Sequence, residues 1–387
     1  MIARIRKTAL LALGAVLATA AFGVAPAMAE FGMKSYDVTF TNEDGSPATQ
    51  AGSHPFAMTT SFEVASYEIP LAERDSPVER FGPDGDIKDL FSEEVAGFAG
   101  DATAYPRCST ADYVEDNTNV AGIRPNCPDN TAVGVFGAYL FGPPPFVWGP
   151  APVFNLVPAP GEVARLGFNI QNARVTLDVR VKSGGDYNVT VSSRGTSQYV
   201  PVFGGVLQLW GIPSDPAHDS IRGECLSKYV LASGAVNFAG DSVGECPVER
   251  IDKPFFTLPT NCEGPEATRY AANSWQNPGS YLPSGEPNLS DPAWASGEVF
   301  THNAAIPPEP QGFTGCGLLP FKPSVTAEPT TKAADSPTGL DFSLHVHDEG
   351  LKNPEGLVQS AIKKVEVTLP EGMSANPSVA EGLGVCT

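Results

Sequence analysis

Few side chains in this chain are placed for chemistry. In the run Ser214-Asp215-Pro216-Ala217-His218-Asp219 a histidine stands between two carboxylates, the pattern of a general base or of half a metal site. A base needs a nucleophile or a substrate contact, and no adjacent motif supplies one. Asp is also a strong turn and cap former, so a loop clasped by its own hydrogen bonds accounts for the same residues. Asp84, Asp86 and Asp89 offer oxygens to calcium but lack the 1,3,5 spacing and terminal Glu of a calcium loop, so a charged turn serves equally. His345 and His347 fall on one strand face without a third ligand, beside Asp348 and Glu349, which suits a solvated face. Glu93 and Glu94 are adjacent and point to opposite faces of a strand, a poor pair for two-carboxylate glycoside chemistry. Phe146 and Trp148, in the stiff run Gly142-Pro143-Pro144-Pro145-Phe146-Val147-Trp148, make with Trp210 a candidate ligand rim for sugar or peptide. The same rings lodged over the end of a β-domain would read alike. The chain has no GxSxG, HExxH, P-loop or dinucleotide fingerprint, so no catalytic residue, metal site or cofactor is assigned.

The elements that must position these residues read as strands. Candidate strands are Ser35 to Thr41, His54 to Val64, Ile87 onward, Ala132 to Phe141, a brief Val153 to Val157, Glu162 to Ile170, Arg174 to Val181, Tyr187 to Ser192 and Val200 to Ile212. Weaker ones follow at Phe255 to Leu258, Ala267 to Trp275 and Gly297 to His302, then Leu340 to His347 and Ala361 to Leu369. A short helix is expected around Leu226 to Val230. Thirty-seven prolines and 39 glycines between short β-type segments argue against a helical build. Aromatic residues spread along the whole chain argue against disorder. The expected fold is mainly β, with antiparallel β-sandwich or jelly-roll-like domains, long loops and disulfides.

Residues 1–29 have the form of an export signal. Arg4, Arg6 and Lys7 precede an apolar stretch, and Ala27-Met28-Ala29 is a small-x-small cleavage site, which places the cut between Ala29 and Glu30. No later run is long enough for a membrane span. With 24 Lys and Arg against 44 Asp and Glu the formal charge is -20, and losing the three signal-region basic residues takes it to about -23. So acidic a chain is a poor partner for nucleic acid, which needs clustered cations, and for anionic lipid.

Export makes disulfides the expected use of cysteine. Neighbour pairing joins Cys108 to Cys127, Cys225 to Cys246 and Cys262 to Cys316, one of fifteen connectivities open to six cysteines. Cys386 is then the odd cysteine. The run Ile87 to Cys108 returns as Ile362 to Cys386, about 275 residues on. This recurrence suggests a repeated module whose second cysteine partner lies past Thr387; a free or intermolecular thiol is the alternative. The expected organisation is a first β-sandwich-like domain over 30–212 and a loop-rich β region or second domain over 213–330. A further, truncated β module follows over 331–387.

Several phrases together resemble a family of uncharacterised, large, secreted or cell-envelope proteins of high-GC Gram-positive actinobacteria. They include AGSHPFAMTTSF (51–62), GFAGDATAYPRCS (97–109), CPDNTAVG (127–134), VKSGGDYNVTVSSR (181–194), LQLWGIPSDPAHD (207–219) and LPEGMSANPSVAEGLGVC (369–386). The resemblance implies an exported protein with structural cysteines and brings no assigned activity. The sequence thus points to a secreted or surface protein with a structural or adhesive role, partnered by cell-wall polysaccharide or other envelope proteins. A carbohydrate-binding module or glycoside-active enzyme is the alternative.

Overall fold

A computed structural model describes residues 31–75, 80–117, 124–140, 142–143, 147–171, 173–182, 187–226, 244–369 and 371–374. The signal region with Ala29 and Glu30, residues 227–230, Phe146 and Cys386 lie outside them.

The alternating runs become strands in chain order: β1 (Met33–Thr41), β2 (Ala57–Val64), β3 (Ser66–Glu68), β4 (Phe81–Pro83), β5 (Ile87–Glu93), β6 (Ala99–Gly100), β7 (Ala132–Tyr139) and β8 (Val147–Leu156). There follow β9 (Ala164–Ile170), β10 (Ala173–Val181), β11 (Val189–Ser193), β12 (Gly204–Trp210), β13 (Phe256–Thr257), β14 (Ala267–Ser274), β15 (Ala295–Phe300), β16 (Pro323–Pro329) and β17 (Leu340–Val346). β8 is longer than the brief strand expected at 153–157, and it contains Pro150 and Pro152. It pairs with β9 only over Phe154 to Leu156. The prolines therefore sit where β8 has a single neighbour, and their missing N–H groups cost it no ladder bond on that side.

Eleven strands form one sheet in the order β1-β2-β12-β7-β8-β9-β10-β11-β5-β14-β15, antiparallel at every step. The sheet curls until β1 lies against β14 and β15, making a nearly closed barrel. This corrects the expected sandwich or jelly roll: the strands belong to one continuous wall. Period-two alternation is common to both architectures, since each has one face toward a core. Ten antiparallel steps, an even number, leave β1 and β15 pointing the same way, so their edges cannot pair as the other neighbours do. Side chains and a short bridge close the seam instead. The rings of Tyr36 and Tyr270 stack at 4.6 Å, His302 Nε2 lies 2.9 Å from Asp37 Oδ1, and Gln50 makes an isolated parallel bridge with Thr314.

β14 and β15 fall within 213–330, so the sheet runs across the domain boundary expected at 212. In the last stretch β16 and β17 form a hairpin, but Ala361–Leu369, expected as a strand, has no regular structure. Val365 and Val367 are exposed there. A strand needs a neighbour to satisfy its backbone groups, and alternation alone cannot supply one.

One end of the barrel is covered. The chain leaving β5 turns at Val95, whose carbonyl accepts from the Phe98 N–H, and β6 then pairs with β13. Phe98, Ala102, Phe255 and Phe256 lie buried across that end. A second apolar cluster packs outside the wall around Tyr113, Val135, Phe154, Trp210 and Leu226. Disulfides fasten the excursions as neighbouring pairs: Cys108–Cys127, Cys225–Cys246 and Cys262–Cys316.

Candidate binding site in the barrel interior

The inward residues of eight wall strands and the end cover surround a cavity of about 310 Å³, within the size range of small-molecule sites. Its wall is mostly hydrocarbon: Met58, Phe136, Leu166 and Phe168 are buried, and Phe136 stacks on Phe168 at 4.3 Å. Phe62, Leu90, Leu177, Val179 and Leu207 also face the cavity yet remain half-buried, because the lumen is wider than their side chains fill. Interiors that serve only as cores pack without such space.

Against that wall stands one buried acidic group; Asp101, also on the lining, is exposed and accepts from Thr103. Glu94 follows the last residue of β5, next to the covered end, and is 2 % exposed. Its Oε1 accepts from Ser92 Oγ at 2.7 Å, while Oε2 has no hydrogen-bond partner among the described residues. Burial pushes the carboxyl up to about 7, against the smaller opposing pull of the Ser92 hydrogen bond. Across the seam the Tyr36 hydroxyl faces the same spot; burial, then the Glu94 charge, raise it well above its ordinary value. Ser92 lies opposite Tyr270 in the β5–β14 register, which brings these groups together. Among the described residues no Lys, Arg or His lines the cavity. The result is an apolar chamber with one buried, half-satisfied carboxyl.

The residues singled out in the sequence lie elsewhere. Glu93 points outward to Lys182, Asn188 and Arg269, opposite to Glu94. Asp215, His218 and Asp219 do not converge. Asp215 caps a turn through the Ala217 N–H and pairs with Arg250, and Asp219 pairs with Arg222. His218 lies flat on Trp210 at 4.3 Å, and burial lowers it to about 4, so at neutral pH it is an uncharged packing ring. Trp210 is 0 % exposed and cannot serve as a ligand rim. It sits under the 213–226 segment, which the sequence pattern could not foretell. The Trp148 backbone pairs with Ala138; its side chain, like Phe146, is outside the description. Asp89 is buried and holds four donors, from Lys88, Tyr281, Asn273 and the Gly195 N–H. Burial pushes its carboxyl up, but these bonds together keep it below its ordinary value. Asp86 accepts from Gln198 and Gln276. His345 and His347 contact each other on the exposed hairpin. Among the described residues no three His, Cys, Asp or Glu side chains gather as a metal set, and no helix is long and apolar enough to cross a membrane.

Sequence reasoning passed over Glu94 because neither parity of IKDLFSEE is cleanly apolar. Ile87, Asp89 and Phe91 alternate with Leu90, Ser92 and Glu94, and a register shift between Asn273 and Ser274 puts both Ile87 and Leu90 on the cavity. The chain matches no family model, no curated protein and no solved structure.

Proposed function

We propose that this is an exported binding protein whose barrel takes an apolar small molecule into its lumen. The observation that carries the reading is the apolar chamber itself, left wide by half-buried Phe62, Leu90, Leu177 and Leu207 and furnished with a buried, half-satisfied carboxyl at Glu94. Specific small-molecule sites combine those two features. The signal-like N-terminus and three disulfides support a place outside the cytoplasm. The test is fluorescence titration of the purified protein with an apolar naphthylamine dye. Saturable one-to-one binding that an aliphatic competitor reverses is expected; dye emission rising linearly without saturation refutes it.

Adhesion to cell-wall polysaccharide, the second reading, draws on the outer face of β5 and β14. Trp275 and Tyr281 are exposed there, flanked by Lys88 and Arg194, and aromatic faces beside polar side chains suit sugars. Retention of the wild type on insoluble wall polysaccharide, lost in Trp275→Ala, is the expected sign. Equal retention of the two removes this reading.

A further inference from the structure

We propose that the molecule bound in the lumen is a neutral aliphatic alcohol, held with its hydroxyl at Glu94 beneath the covered end and its chain along β5. This rests on the reading of the lumen as a binding site and goes on to name what fills it.

The head group follows from the polar atoms. Glu94 Oε2 is buried without a partner among the described residues, and Oε1 is already engaged by Ser92. A buried polar atom left unpaired is destabilising, so a ligand that pairs it gains affinity over one that cannot. A hydroxyl meets the requirement in either protonation state of Glu94: it donates to a carboxylate oxygen, and it accepts from a carboxylic O–H. Tyr36 is also on the lining, near enough to Glu94 to feel its charge.

Other head groups fit less well. A fatty acid would bring a second carboxylate beside Glu94, and among the described residues no Lys, Arg or His lines the cavity to neutralise it. Like charges at short range in a low-dielectric site repel strongly. A plain hydrocarbon would leave Oε2 unpaired. The shape of the chamber speaks for a chain. Ile87, the first residue of β5, and Glu94, the residue after its last, both line it, and seven strand steps span about 23 Å at roughly 3.3 Å per residue. That length suits an extended aliphatic chain.

The experiment is competition against the bound naphthylamine dye by dodecanol, dodecanoate, dodecane and dodecylamine, with wild type, Glu94→Leu and Glu94→Gln. In the wild type dodecanol is expected to compete about 10-fold to 100-fold better than dodecane or dodecanoate, the ratio for one buried polar group satisfied rather than orphaned. Glu94→Leu is expected to bind the dye and lose that preference, while Glu94→Gln, which keeps an acceptor and a donor, retains most of it. The wild-type series decides the matter even if Glu94→Leu fails to fold. Dodecanoate or dodecane competing as well as dodecanol overturns the proposal, as does dodecylamine competing better, which would make Glu94 an ion-pair site. Persistence of the alcohol preference in Glu94→Leu also overturns it. Failure of any wild-type dye binding refutes the lumen reading itself, and these results are told apart in one assay.

Discussion

Replacing Glu94 by Gln should change how stability depends on pH, by an amount the structure sets. Burial raises the folded carboxyl from an ordinary 4.5 to about 7. The folded chain therefore holds the Glu94 proton more tightly than the unfolded chain does. The contribution is fully present below about pH 4.5, falls as pH rises toward 7, and is gone above it. At 1.36 kcal/mol per pH unit the interval corresponds to about 3 kcal/mol lost between pH 4 and pH 8. Gln has the same shape and no proton to lose, so it is spared this loss. The free-energy difference, variant minus wild type, should grow by about 3 kcal/mol across that range. The remaining titrating groups, His218 and His302 among them, are common to both proteins and cancel. The assay is urea unfolding followed by tryptophan fluorescence without reductant at several pH values, with linear extrapolation. Parallel pH profiles for the two proteins, differing by a constant offset, would refute the claim that this carboxyl is buried in an apolar chamber.

Three further outcomes follow from the wall and its fastenings. Replacing Cys262 and Cys316 by Ala opens a loop of 54 residues, which by loop entropy should cost about 4 kcal/mol; a melting temperature unchanged under oxidising conditions would contradict this. Trp210→Ala should destabilise by about 3–5 kcal/mol as a large buried ring is lost. Where the variant stays folded, dye affinity should be unchanged, because Trp210 packs outside the lumen with His218; a matching drop in affinity would restore it as a ligand residue. At the seam, both His302 nitrogens face oxygens, Nδ1 the Asn303 carbonyl and Nε2 Asp37, as a doubly protonated ring requires. Burial lowers His302, but these acceptors outweigh it and raise the net value. Its stabilising effect is thus complete below the unfolded pKa and fades as pH rises through the folded one. Asp37→Asn should cost under about 1 kcal/mol at acid pH, and nothing at alkaline pH, in the same unfolding assay. A cost that is constant with pH would disprove the pairing.

Most strands were readable because apolar side chains recur at every second position, as in Tyr36, Val38 and Phe40 of β1 or Leu166, Phe168 and Ile170 of β9. Their assembly was not. Alternation says which side of a strand is inward but not how many strands share the interior, so the pattern that builds this barrel reads equally as a sandwich. β8 was underestimated because proline is judged by rule against a central strand, whereas Pro150 and Pro152 stand where only one neighbour is present. The site was hidden for a related reason. Glu94 looks like one half of an acidic pair with Glu93, and only the strand's orientation separates an outward ion-paired carboxylate from an inward orphaned one. The Asp215-His218-Asp219 run drew notice by composition, yet its members turn to Arg250, Trp210 and Arg222 respectively.

The odd strand number gives the wall one direction of weakness. Drawing β14 and β15 away from β1 would part the Tyr36–Tyr270 stack, the His302–Asp37 contact and the Gln50–Thr314 bridge, while every strand ladder of the sheet stayed intact. Cys262 and Cys316 flank the β14–β15 pair and are bonded to each other, so that pair is a closed loop of its own, joined to the rest of the wall by the β5–β14 ladder. The seam along Tyr36 and Tyr270 is therefore the join in the wall that no strand ladder crosses. That join lies beside the Glu94 carboxyl, next to the aromatic cover of Phe98, Phe255 and Phe256.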